Sequence, residues 1–182
     1  MTIDEMLAKV AENVGAKPPA PQKQAAKNCS CGGEHKCQCN RESISDGKLN
    51  LDSAKFIARG IEIAAEKMGI NVVIAVDNDG ANLVLLHAMD DSYIASITAA
   101  QQKAYTAVAL KMPTDVALKE SRGGTLDGLT NGNGLLLLGG GYPLECSGKV
   151  IGGIGVSGGT KEQDTLLAKI GTELFSAWKG NI

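Results

Sequence analysis

From residue 51 onward the chain switches repeatedly between two hydrophobic rhythms. Leu51, Ala54, Ala58, Ile61, Ala65 and Met68 recur at three- and four-residue spacing, so they form one stripe of a helix that ends at Gly69. Residues 71–77 (NVVIAVD) read as a buried strand, and Asn78-Asp79-Gly80 as a hairpin turn, because glycine tolerates positive φ there. Residues 82–89 (NLVLLHAM) are the returning strand. Tyr93, Ile97, Ala100, Ala104, Val108 and Lys111 trace one side of a second helix, which Pro113 stops, and a shorter helix is predicted at about 115–121. The glycine-rich stretch 123–134 is a loop, and Leu135 to Leu138 opens a third strand. Residues 142–146 and 149–157 form a second hairpin around Ser147-Gly148. The last helix starts at Thr160, where Thr160 and Gln163 have capping-box spacing, and it buries Leu167, Ile170, Leu174 and Ala177. The expected fold is α/β in the α+β sense: a mostly antiparallel sheet of about five strands, covered by helices, over residues 47–182.

The pattern before residue 47 is different. Ile3, Met6, Leu7, Val10 and Val14 make an apolar stripe within residues 1–17, and Thr2 and Glu5 match a capping box. A helix of about fourteen residues is marginal alone, so this one needs a surface to dock on, either its own domain or a partner. Residues 18–28 (PPAPQKQAAKN) offer almost nothing to bury and read as a linker, which extends to residue 46. Apolar residues make up 43% and charged residues 21%, ordinary values for a folded domain. The formal charge of −2 shows no basic excess, and aromatics are only 3%, so nucleic acid is not an expected partner. No apolar run approaches the length of about 20 residues that a membrane helix needs. Residues 1–17 also lack the basic and apolar regions of a secretory signal, so a cytoplasmic, reducing location is expected. In that setting clustered cysteines are metal ligands more readily than disulfides.

Cys29, Cys31, Cys37 and Cys39 form two CxC pairs around Gly32-Gly33, where the backbone can reverse. Four thiolates can close a shell around zinc or hold an iron–sulfur cluster, and His35 could replace one of them. Redox-active dithiols, or no role, remain alternatives. His87 is the only histidine of the domain, and on its strand it shares a face with Leu83, Leu85 and Met89. Such a histidine is either a satisfied core or edge residue or a ligand, and the Met89 thioether is either a weak ligand or packing. Gly153 and Gly155 strip one face of the strand 149–157, leaving room for a flat ligand or for a closely packed helix. Gly158 and Gly159 precede the last helix, whose first amides can bind a carboxylate. Asp77, Asp79, Asp90 and Asp91 flank turns or a helix start and read as caps rather than catalytic carboxylates. No acid–base constellation stands out, so a binding module is expected before an enzyme.

Three blocks, AVDNDGANLVLLHAMDDS, SITAAQQKAYTAVALKMPT and GGGYPLECSGKVIGGIGVSGGTKEQDTLLAKIG, resemble the family that includes GlcG, HbpS and the C-terminal domain of PduO. The resemblance covers about residues 48–180. It implies a profilin-like fold, a homo-oligomer, and haem as the tetrapyrrole ligand, with cobalamin as the alternative. The family has also been labelled haem-degrading, which implies an enzyme as a second possibility, and corrinoid delivery as a third. Under this resemblance His87 becomes an axial ligand, with Met89, Gly153, Gly155, Gly158 and Gly159 around the same cofactor. Relatives occur with bacterial microcompartments, where an N-terminal amphipathic helix resembles an encapsulation peptide. It would dock residues 1–17 on a shell or cargo protein. The four cysteines lie outside the family pattern.

Overall fold

The structure, a computed structural model, describes residues 48–180. The helix expected at 1–17 and the linker 18–46 with its cysteines lie outside the described residues. Helix α1 (Leu51–Met68) opens on a reciprocal capping box: the Asn50 side chain accepts the Ser53 amide at 2.8 Å, and the Asn50 amide donates to Ser53 Oγ at 3.2 Å. It closes at Gly69, whose φ of 67° is the left-handed conformation that such a cap requires. Strands β1 (Val73–Asn78) and β2 (Leu83–Ala88) form the first hairpin, followed by helix α2 (Ile94–Leu110) and the short helix α3 (Thr114–Glu120). Strands β3 (Gly141–Cys146) and β4 (Lys149–Ser157) make the second hairpin, and helix α4 (Lys161–Gly180) ends the described chain. The predicted box at its start is present, with Thr160 N–H donating to Gln163 Oε1 at 2.9 Å and Gln163 N–H to Thr160 Oγ1 at 3.3 Å.

The sheet has four strands in the order β2-β1-β4-β3, and every pairing is antiparallel. The strand expected at Leu135–Leu138 does not form. Its backbone donors are taken by side chains: Leu136 N–H donates to Thr106 Oγ1 and Leu137 N–H to Asn131 Oδ1, each at 2.8 Å. The Leu138 carbonyl accepts from Thr114 Oγ1 at 2.6 Å. Side chains thus replace the ladder a fifth strand would have needed.

The two faces of the sheet are packed by different means. Ile74, Val76, Ile154 and Val156 meet Ile57 and Ile61 of α1 and Leu167 and Ile170 of α4, all fully buried. Each such side chain stabilises the fold by roughly 1.5–3 kcal/mol. The Phe56 and Trp178 rings, 4.8 Å apart, extend this layer between α1 and α4. On the other face Val73 and Ala75 meet Ala100 and Ala104 of α2, with the partly buried Leu86 of β2 beside them. Small residues on both sides let the α2 backbone come down onto β4. A Cβ on Gly155 would collide with the Ala100 carbonyl oxygen, and one on Gly153 would stand 2.8 Å from the Ala104 carbonyl oxygen. Of the two readings of that face, Gly153 and Gly155 therefore receive a closely packed helix, which leaves no room there for a flat ligand.

One ion pair is sealed inside this packing. Lys103 of α2 is fully buried, and its Nζ donates to Asp164 Oδ2 at 2.7 Å and to the Val156 carbonyl at 2.8 Å. Burial pushes the Lys103 ammonium down and the Asp164 carboxyl up, and each is pulled back by the other's charge. The pair ties α2, β4 and the first turn of α4 at one end of the sheet.

Candidate functional site

His87 sits on β2, an edge strand, opposite Ile74 of β1. Ile74 in turn pairs with Val156, so His87 faces the α1/α4 layer. There its Nδ1 lies 2.7 Å from Glu62 Oε1 of α1, while Glu62 Oε2 accepts from Arg59 Nη1 at 3.1 Å. The side chains are graded in exposure: 59% for Arg59, 16% for Glu62 and 40% for His87. An ionised carboxylate only accepts hydrogen bonds, so Nδ1 carries the proton in the neutral ring and Nε2 keeps its lone pair. Among the described residues nothing hydrogen-bonds Nε2. A half-exposed imidazole with one nitrogen fixed by a carboxylate and the other open is the usual arrangement of a metal-ligating histidine. The donor chemistry is that of a nitrogen that could ligate a haem iron. Met89, two residues on, uses its sulfur to accept the Val72 amide at 3.5 Å and packs on the core.

The other residues expected around the same cofactor do not join His87. Gly153 pairs with Asp77 and Gly155 with Ala75, on the α2 side of the sheet, opposite to the His87 side. Gly158 and Gly159 do not leave free amides at the start of α4. Gly159 N–H donates to Asp164 Oδ1 at 2.8 Å, and the Gly158 amide also reaches that carboxylate. The helix start thus binds an internal carboxylate in place of a ligand's. His87 stands alone of the group as an accessible donor.

Three of the aspartates are not the caps expected of them. Asp77 is 4% exposed within β1, and burial pushes its carboxyl up to about 6. Helix α2 starts at Tyr93 without a side-chain cap, so neither Asp90 nor Asp91 caps it, and Asp91 takes a left-handed turn conformation at φ 60°. Away from His87, at the β3 edge, a cavity of about 420 Å³ is lined by Asp115, Tyr142, Lys161, Thr165 and Lys169 among others. Burial and the Asp115 carboxylate both raise the Tyr142 hydroxyl's pKa. Glu62 was not visible as a partner of His87 from sequence, because 25 residues separate them and only the α1–β2 contact brings them together. Lys103 did carry a signal, lying between Ala100 and Ala104 on the helix stripe that is buried.

Among the described residues, no helix is long and apolar enough to cross a membrane. No cluster of three or more histidine, cysteine or acidic side chains forms a metal cage among them either. Comparison with known proteins places this geometry. The model of the family described as haem degrading protein HbpS-like matches residues 49–173. A 15.0 kDa uncharacterised protein from the dhaT–dhaS intergenic region of Citrobacter freundii is 40% identical over 131 residues, covering 70% of this chain and 92% of that protein. The corrinoid adenosyltransferase PduO of Citrobacter freundii is 33% identical over 124 residues, which are 66% of this chain but only 37% of PduO. The solved complex of PduOC with haem aligns at a TM-score of 0.66 and 29% identity, covering 70% of this chain and 94% of that one. A match that takes in all four strands and the helices on both faces of the sheet makes this chain a member of the HbpS-like family.

Proposed function

We propose that the domain is a haem-binding accessory module in which His87 would ligate the iron through Nε2. The observation that carries this reading is the Glu62–His87 contact of 2.7 Å, which leaves the second ring nitrogen open at an accessible sheet edge. The family's description as haem degrading and the haem complex of PduOC support the choice of ligand. Bound haem supplies an iron centre capable of redox and oxygen chemistry. The chain's own part is to present His87, to hold its ring by Glu62, and to back the strand with the α1/α4 core.

The reading extends to the segment before the domain. Residues 1–17 act as a docking helix for a microcompartment shell or cargo protein, and Cys29, Cys31, Cys37 and Cys39 hold zinc or an iron–sulfur cluster. Both proposals rest on sequence pattern. Two other readings keep specific support: turnover of the bound tetrapyrrole, from the family's description, and corrinoid handling, from the partial match to PduO.

Absorbance spectroscopy of the full chain with added haem tests the proposal. A Soret band characteristic of a nitrogen-ligated haem is expected, and His87→Ala should abolish or strongly shift it with an unchanged far-ultraviolet dichroism spectrum. An unchanged Soret band in the variant would make His87 a packing residue and refute the assignment. Loss of the band under reductant and oxygen would favour turnover, and preferential binding of cobalamin would favour corrinoid handling.

A further inference from the structure

Resting on His87 as the iron ligand, we infer that Glu62 is a positioning residue that sets the tautomer and electron-donating strength of His87, and that Arg59 moderates it by sharing the same carboxylate. The carboxylate is divided between two partners: Oε1 faces His87 Nδ1 at 2.7 Å, and Oε2 faces Arg59 Nη1 at 3.1 Å. Arg59 sits one helical turn before Glu62 on α1, so this split is built into one element and aimed at a neighbouring strand. Glu62 is largely shielded, with 16% of its side chain exposed, so its charge acts on the ring through little solvent. Arg59 is 59% exposed and its pull is correspondingly screened. The ring therefore feels the carboxylate more than the guanidinium does.

The consequences have definite signs. A carboxylate accepting from Nδ1–H gives the imidazole partial imidazolate character, which raises the basicity of Nε2 and favours ferric over ferrous iron. Removing the carboxylate should raise the reduction potential of bound haem and weaken ferric haem retention by about tenfold or more. It also frees the apo ring to adopt the Nε2–H tautomer that free histidine prefers. That tautomer points a proton at the position the iron needs. Removing Arg59 should act in the opposite direction on the potential and leave the tautomer as it is.

A merely structural contact between helix and strand would predict none of this, since a part-exposed pair contributes little to stability. The test uses the full chain and the variants Glu62→Ala, Glu62→Gln, Arg59→Ala and His87→Ala. Nitrogen NMR of the ligand-free protein reports the His87 tautomer, and spectroelectrochemistry of the haem-loaded protein reports the potential. The expected result is an Nδ1–H ring in the parent and a shift toward Nε2–H in Glu62→Ala, with a raised potential there and a lowered one in Arg59→Ala. Glu62→Gln keeps the size and an acceptor oxygen without the charge, so it should hold the tautomer better than it holds the potential. It also serves if Glu62→Ala fails to fold. Should His87→Ala abolish the Soret band while both Glu62 variants leave tautomer and potential unchanged, the inference is wrong and the ligand assignment stands. Should His87→Ala leave the band intact, the ligand assignment fails and takes the inference with it.

Discussion

Asp77 shows how one buried side chain can set the pH response of the fold. It lies in β1 between Gly153 and Leu83, is 4% exposed, and has no side-chain hydrogen bond among the described residues. Burial alone lifts its carboxyl from 3.8 to about 6. A folded-state pKa above the unfolded one means that the neutral form is favoured by folding. The stabilising contribution is complete below about pH 4 and is lost as pH rises through about 6. Asp77→Asn is isosteric and cannot ionise, so it should stabilise the domain at neutral pH, by at most about 3 kcal/mol, and change little at about pH 4. Denaturant unfolding at the two pH values measures this, and destabilisation at both would show that the carboxylate makes an interaction the amide cannot replace. The sequence pattern suggested that Asp77 serves the turn, but that role falls to Asn78, whose Oδ1 accepts the Gly80 amide at 2.9 Å and the Asn82 amide at 3.0 Å. Both residues are turn formers, and only the true end of β1 decides between them. His87 was legible as the lone ring nitrogen on its strand face. Its partner was not, because the contact is set by how α1 crosses β2.

At the level of elements, the seam between α2 and β4 is where the fold tolerates least change. Gly155 lies under the α2 backbone, and its missing Cβ would strike the Ala100 carbonyl oxygen, which no side-chain movement can relieve. A Cβ on Gly171, in α4, would meet the Cδ1 ends of Ile154 and Ile61 at 2.8 Å, and those termini can turn aside. Gly155→Ala should therefore cost more than Gly171→Ala, with about 1–3 kcal/mol as a floor for the first. Thermal melts of the two variants compare them, and Ala100→Gly should fail to rescue Gly155→Ala because the obstacle is main chain. Equal losses would mean that α2 can lift off the sheet. The helices and hairpins were legible because each carries a repeat of three to four or of two residues. Periodicity left open which face of 149–157 takes a helix, and the choice depends on the alanines at 100 and 104 lying opposite the glycines. The stretch 135–138 misled for a related reason: four leucines look like a strand, yet Thr106 and Thr114, distant in sequence, and the nearby Asn131 satisfy their backbone.

For the whole molecule, the question is whether haem binding needs anything before residue 48. Leu49 packs partly on the main core and lies against β4, close to Gly152, and Asn50 caps α1, so the closed domain begins there. The family match starts at the same place, at residue 49. Residues 18–46 combine a proline- and alanine-rich run with the cysteine motif and carry few groups that a core would take up. Protease should cut first in about 18–46 and release a resistant fragment starting near Gly47. That fragment should melt as the full chain does and give the same Soret band, because the Arg59–Glu62–His87 set lies wholly within it. Treating the full chain with a metal chelator should likewise leave the melting of the domain almost unchanged. If the fragment aggregates, or keeps its dichroism but loses haem, the N-terminal segment supplies part of the fold in the first case and part of the site in the second. A second ligand from the cysteines would produce the latter result. Replacing Cys29, Cys31, Cys37 and Cys39 by serine in the full chain would then reproduce the loss.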